Sequence, residues 1–176
     1  MIDTAAVLKR YIRDVPDFPK KGILFKDIAP LLRSPDGFRA AIEGLAGGDD
    51  APDAIVAVES RGFIFGAGLA LHWGVPFVPA RKFGKLPGRT VRATYSLEYG
   101  EDVLEIQADA LAQGQRVAIV DDLLATGGTA AATASLVEQL HATVDSMRFV
   151  VELDGLGGRE RLAGRRVHTL VHYSLG

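Results

Sequence analysis

The chain of 176 residues contains no cysteine, which excludes disulfides, thiolate metal sites and a cysteine nucleophile. It has no basic surplus: 20 Lys and Arg stand against 22 Asp and Glu, a formal net charge of -2. A general nucleic-acid or anionic-membrane binder needs such a surplus to neutralise phosphates, so neither partner is expected, and any anion must be bound locally. No apolar run approaches the roughly 18 residues that a bilayer span requires. The N-terminal MIDTAAVLKRYIRDVPDF also lacks the continuous apolar core of a signal peptide. The lack of a spanning run and of a signal core points to cytoplasmic residence. Repeats, low-complexity tracts and interdomain linkers are missing as well. What is present, 48% hydrophobic and 24% charged residues, suits one globular domain with a sizeable core.

Along the chain, Thr4 to Val15 has helical spacing and is stopped by Pro16 and Pro19, and FPKKGILFKDIAP reads as extended. Ser34 is an N-cap and Pro35 a first helical residue for a helix that ends at Gly47-Gly48. AIVAVE, Ala54 to Glu59, is a short apolar run of the kind buried on both faces of a parallel sheet. SRGFIFGAGLALHWG predicts a turn and a helix, and VPFVPAR, VLEIQ, RVAIV, VDSMRFVVEL and RRVHTLVHY predict strands. TAAATASLVEQLHA predicts a helix with Leu136, Val137 and Leu140 inside. Strands alternating with helices give an α/β fold, a doubly wound, mostly parallel sheet flanked by helices. The stretch from Arg81 to Asp102 is long for a loop of a compact domain, so it is a moving lid or binding element, or part of it forms a hairpin.

Chemistry concentrates in VAIVDDLLATGGTAAATASL. Asp121 and Asp122 end a buried strand, and Ala125, Thr126, Gly127, Gly128 and Thr129 turn the chain into a helix. Glycines let backbone N–H groups approach a phosphate at the helix N-terminus, while Thr126 and Thr129 add hydroxyls. A nucleoside-triphosphate loop would need a Lys-Ser/Thr pair after the glycines and a dinucleotide loop G-x-G-x-x-G; neither is here. Vicinal carboxylates beside a monophosphate nest can accept hydrogen bonds from adjacent ribose hydroxyls and help hold Mg²⁺, directly or through water. The aspartates thus suit a sugar and the loop its 5-phosphate. ESRG, Glu59 to Gly62, brings backbone amides and the Arg61 guanidinium to the same sheet edge, and Arg81, Lys82, Lys85, Arg89 and Arg92 crowd the long loop. His168 and His172 sit four residues apart on a strand, roughly 13 Å, too far to share a metal.

The run from strand through Asp-Asp and Thr-Gly-Gly-Thr into helix resembles the phosphoribosyl pyrophosphate motif of the phosphoribosyltransferases. FPKKGILFKDIAPLL, ESRGFIFG, RKFGKLPG and YSLEYG, in that order ahead of it, resemble the adenine phosphoribosyltransferase family over nearly the whole chain. The resemblance implies transfer of a 5-phosphoribosyl group from 5-phosphoribosyl 1-pyrophosphate to adenine, giving AMP and pyrophosphate, with Mg²⁺ in a cytoplasmic homodimer of purine salvage. It implies a single domain over residues 1–176, with an N-terminal hood near 16–32 and a flexible lid loop near 81–102. Pyrophosphate would meet Glu59, Ser60 and Arg61, through a cis peptide at Glu59-Ser60, together with Arg81, Lys82 and Lys85. Glu98 would carry a proton near the adenine imidazole and Tyr99 would help close the site. Leu24 and Lys26 would read adenine through their backbone, with Phe25 stacking or packing; the family often has Arg where Lys26 stands, so only the backbone role carries over. Two other readings remain: a regulator that binds the donor without chemistry, and a transferase for a 6-oxo purine.

Overall fold

The computed structural model describes residues 4–48, 50–97 and 100–174, with backbone alone at 96–97 and 100–101. The chain opens with helix α1 (Thr4–Lys9) and a two-stranded antiparallel ribbon, β1 (Arg13–Pro16) and β2 (Leu24–Asp27). The helix expected through Val15 therefore stops at Lys9. Its last residues are drawn into a strand because they find partners across the ribbon: Arg13 Nη2 donates to Asp27 Oδ2 at 2.5 Å and Lys26 Nζ to Asp14 Oδ1 at 2.6 Å. Helices α2 (Ala29–Arg33) and α3 (Pro35–Ala46) follow, and Ser34 Oγ accepts from the Gly37 N–H at 3.0 Å, the cap read from the sequence.

The rest alternates as expected: β3 (Ala54–Val58), α4 (Arg61–Trp73), β4 (Phe77–Lys82), then a hairpin β5 (Thr90–Leu97) and β6 (Gly100–Gln107), β7 (Arg116–Leu124), α5 (Gly128–Gln139), β8 (Thr143–Asp154), the short α6 (Gly158–Arg161) and β9 (Val167–Ser174). Among the described residues the main sheet runs β5-β6-β4-β3-β7-β8-β9. β4, β3, β7, β8 and β9 are parallel, and the hairpin joins β4 antiparallel. Strand β3 explains its unbroken apolar run. Ile55 and Ala57 pack with Leu45, Phe65 and Leu69 from α3 and α4, while Ala54, Val56 and Val58 pack with Leu136 and Val137 of α5. Arg148, 1% exposed in β8, donates to the carbonyls of Leu45 and Ala46 and so ties off the C-terminal end of α3.

Part of the long 81–102 stretch is thus the hairpin, and the turn before it is gathered by one carboxylate. Glu105, 2% exposed, accepts from the N–H groups of Gly84 (2.9 Å), Lys85 (3.2 Å) and Leu86 (3.3 Å) and from the Thr90 hydroxyl (3.0 Å). Burial pushes this carboxyl up, but the Thr90 hydroxyl and the three N–H groups outweigh it and hold it below its ordinary value. A lowered folded-state pKa gives stability that is present above the unfolded value, about 4.3, and is lost as pH falls through the folded one. Urea midpoints should therefore drop between about pH 5 and pH 3. Glu105→Gln should cost about 1–3 kcal/mol at pH 7 and flatten that acid limb. Parallel limbs for the two proteins would remove Glu105 as their source.

Candidate active site

Two helices aim their N-termini at one place. Strand β7 ends at Asp121–Leu124, and Gly127 caps α5 with φ 75°, a left-handed conformation natural to glycine. From the other side α4 begins at Arg61, and its second residue lies against the end of β7. A Cβ on Gly62 would stand 2.8 Å from Asp121 Oδ1 and 2.9 Å from the Val120 carbonyl, so only glycine permits this approach. Neither Ser60 nor Gly127 supplies a side-chain cap, which leaves first-turn N–H groups of both helices for a bound anion. Between them lies a cavity of about 370 Å³, lined by all of residues 121–130, by Glu59, Ser60 and Arg61, and by Lys82 and Tyr95.

The aspartates are set deep. Asp122 is 5% exposed and pairs with Arg61, Nε to Oδ2 at 2.9 Å; Asp121 Oδ1 accepts the Asp122 N–H at 2.9 Å. Burial pushes both carboxyls up. The neighbouring charge of Asp122 raises Asp121 further, well above the usual carboxylate range, while Arg61 partly restrains Asp122. Two crowded carboxylates with hard oxygen donors suit hydroxyl groups of a sugar or a hydrated Mg²⁺, each of which favours their charged form.

The cations stand behind Glu59 rather than in front of it. Its carboxylate accepts from Arg81 Nε and Nη2, both at 3.2 Å, and from the Lys82 N–H at 3.0 Å, with Lys85 Nζ at 3.9 Å. Arg81 Nη1 also donates to the Lys85 carbonyl at 3.2 Å. Burial raises the Glu59 carboxyl, yet Arg81 and the Lys82 amide bring it below its ordinary value, so it is a fixed anion that orients the basic turn. Lys82 lines the cavity and its Nζ pairs with Asp102 at 2.9 Å; the Tyr95 hydroxyl bonds the same carboxylate at 3.2 Å and meets the hydroxyl of Thr129. Arg81 and Lys85 do not line the cavity.

The structure brings residues 121, 122 and 125–129 together with Glu59–Arg61 and Lys82, as the motifs suggested. Leu24, Phe25 and Lys26 lie on β2, off the cavity wall, but the Arg61 guanidinium stands 5.2 Å from the Phe25 ring centre and links ribbon to site. Lys26 turns its side chain away, bonded to Asp14 and 3.9 Å from the Tyr173 ring centre. A backbone role is what remains open to it. Glu98 and Tyr99 lie outside the described residues. Sequence reasoning missed Tyr95 and Asp102. Had the hairpin been recognised, alternation along β5 would have put Val91, Ala93 and Tyr95 on the inward face.

Residues 31–167 match the phosphoribosyl transferase domain family. The adenine phosphoribosyltransferase of Carboxydothermus hydrogenoformans is 54% identical over 168 residues, covering 94% of this chain and 99% of that one. The chain belongs to the adenine phosphoribosyltransferase family. The family's crystal structure from Thermoanaerobacter pseudethanolicus superposes with a TM-score of 0.93 at 53% identity, covering 96% of this chain and 99% of that one. A family member from Saccharomyces cerevisiae, solved with an imino-altritol 1,6-bisphosphate and adenine, gives 0.91 at 47% identity, covering 97% and 99%. The Glu59-Ser60 peptide is cis, as the resemblance to the family implied.

Proposed function

We infer that the chain transfers the 5-phosphoribosyl group from 5-phosphoribosyl 1-pyrophosphate to adenine, forming AMP and pyrophosphate in purine salvage. The observation that carries this is the convergence of phosphate loop, paired aspartates and Glu59–Arg61 turn on one cavity in a chain of this family. N–H groups and hydroxyls of Ala125–Thr129 take the 5-phosphate. Asp121 and Asp122 accept from the ribose hydroxyls and would hold Mg²⁺, directly or through water; when bound, that ion neutralises charge on the pyrophosphate. Ser60, Arg61, the first turn of α4 and Lys82 receive the departing pyrophosphate, with Arg81 and Lys85 oriented by Glu59. The bond from the anomeric carbon to pyrophosphate breaks as one forms to the adenine nitrogen, through an oxocarbenium-like state, so positioning and fixed charge supply the rate.

The ribbon is the hood of this reading, near residues 16–32, and 81–102 contains the lid, within a single domain spanning residues 1–176. Backbone groups of Leu24 and Lys26 would match the amino donor and N1 acceptor of adenine, and Phe25 would pack on the ring. A 6-oxo purine presents the reverse pattern, and sites built on such bonds reject a mismatch by about 10⁴ to 10⁵. Glu98 carries the proton of the adenine imidazole and Tyr99 closes over the donor. Purified protein mixed with donor, Mg²⁺ and each of adenine, hypoxanthine, guanine and xanthine should yield AMP alone. A 6-oxo nucleotide would move the specificity, and donor binding without any nucleotide would make the chain a regulator.

The same reading makes the enzyme a cytoplasmic homodimer. Helix α4 supports the dimer: Ile64, Ala67 and Leu71 recur at helical spacing on its exposed side, Leu71 being 86% exposed, and Leu71 lines an apolar hollow with Val75 and Phe77. A second copy is the occupant expected there. Leu71→Arg should convert a dimer into a monomer in sedimentation equilibrium. A wild-type monomer, or a variant that stays dimeric, would put the contact elsewhere or nowhere.

A further inference from the structure

Glu152, 5% exposed near the end of β8, is a buried carboxylate without a part in this chemistry. Arg159, in α6, grips it with a fork: Nε to Oε1 at 3.0 Å and Nη2 to Oε2 at 2.6 Å. The same guanidinium donates to the Thr169 hydroxyl at 3.1 Å and to the Val167 carbonyl at 3.4 Å, so it ties α6 to both β8 and β9. Asp154 and His172 stand close by, and with Glu152 their ligand atoms lie within 4.8 Å of one another. Both Glu152 oxygens, however, are already engaged by the guanidinium, which favours a clamp over a cation site.

Helix α6 is a single turn of four residues and cannot sustain itself without tertiary support. Its first residue, Gly158, is packed backbone-to-backbone on the phosphate loop. A Cβ on Gly127 would stand 2.8 Å from the Gly158 carbonyl oxygen and 3.2 Å from its Cα, and a Cβ on Gly158 would overlap the Ala125 carbonyl oxygen. The shortest of these approaches are to backbone atoms, with the Leu124 Cδ1 next, 3.0 Å from a Cβ on Gly158. Leu162, 1% exposed, anchors the far end of α6 in the core. The phosphate loop is therefore walled on its outer side by a turn whose own position depends on Arg159.

We propose that Glu152 and Arg159 are positioning residues for the reaction: their ion pair fixes Gly158 against Ala125 and Gly127 and so holds the phosphate loop in register for the 5-phosphate. The proposal rests on the reading of that loop as the 5-phosphate site. It requires a donor-specific effect, because the ribbon that would read adenine meets Arg61 of α4 and Tyr173 at the far end of β9.

Three variants test it. Glu152→Gln keeps size and loses charge, Arg159→Lys keeps charge and loses the fork, and Gly158→Ala leaves the clamp intact but pushes on the loop. Each is assayed for the KM of donor and of adenine separately, for ribose 5-phosphate affinity by titration calorimetry, and for thermal midpoint. Donor KM and the ribose 5-phosphate Kd should rise about tenfold while the adenine KM stays within about twofold, since misplacing a binding group by a fraction of an ångström is costly only to what it binds. Arg159→Lys, which keeps the charge, should lose less than Glu152→Gln. A lower thermal midpoint with unchanged ribose 5-phosphate affinity would reduce the pair to a structural bond and overturn the proposal, as would equal weakening of both substrates. If Glu152→Gln does not fold, Gly158→Ala decides: wild-type ribose 5-phosphate affinity in that variant overturns it. A wild-type protein that binds ribose 5-phosphate yet makes no nucleotide would defeat the transferase reading and leave this test standing.

Discussion

Asp122→Asn is expected to lower kcat/KM for the phosphoribosyl donor by about 10² to 10³, the loss typical of removing one preorganised group that meets developing charge. Adenine affinity should change less, because Asp122 meets the ribbon through Arg61, whose guanidinium stands 5.2 Å from the Phe25 ring centre. The variant also separates function from stability. Burial raises the Asp122 carboxyl even with Arg61 at 2.9 Å, so ionising it at neutral pH costs the folded state free energy. Asparagine keeps the shape and avoids that cost. Arg61 loses its partner but is 37% exposed, and water can solvate it. The thermal midpoint should therefore hold or rise while donor use collapses, the pattern of a group kept for chemistry at the expense of stability. Unchanged donor kinetics, or a midpoint that falls in step with activity, would contradict the assignment of Asp122 to the ribose.

How far the sequence could be read follows from how local each feature is. The phosphate loop was legible because strand, aspartates, glycines and helix lie within a single run of 20 residues, and the Ser34 cap because it needs only its own turn. Glu59–Arg61 meets that loop because β3 and β7 are parallel neighbours, with Ala57 opposite Val120, a pairing the alternation of elements suggests without fixing the register. Strand β1 was mistaken for helix because its four residues acquire their state from partners in β2, and helical spacing in a short polar stretch carries no trace of them. The hairpin hid Tyr95 for the same reason. Least legible was Gly158 against Ala125: the two are far apart in sequence, and the contact is made by backbone, which leaves no pattern of side chains to read.

Gly127→Val should be the most damaging single change to the loop. At φ 75° a β-branched residue is strained, by roughly 1–2 kcal/mol for the left-handed conformation. Its Cβ would stand 2.8 Å from the Gly158 carbonyl oxygen and 3.4 Å from the Arg161 Cβ, an overlap that costs about 1–3 kcal/mol more or moves the loop. Movement is the decisive part, since a shift near 1 Å at a binding group lowers rate by about 10², and the donor should lose at least that in kcat/KM. Gly114→Val is the control. Gly114 has φ 81° but nothing within 4 Å of an added Cβ, so it carries the conformational strain without the overlap. It should lose about 1–2 kcal/mol of stability and keep donor kinetics. Steady-state assays and urea unfolding on both variants separate the two contributions. If Gly127→Val and Gly114→Val lose stability equally and both keep wild-type donor kinetics, the phosphate does not lie on this loop, because a branched side chain at its tightest point would then have left the bound anion undisturbed.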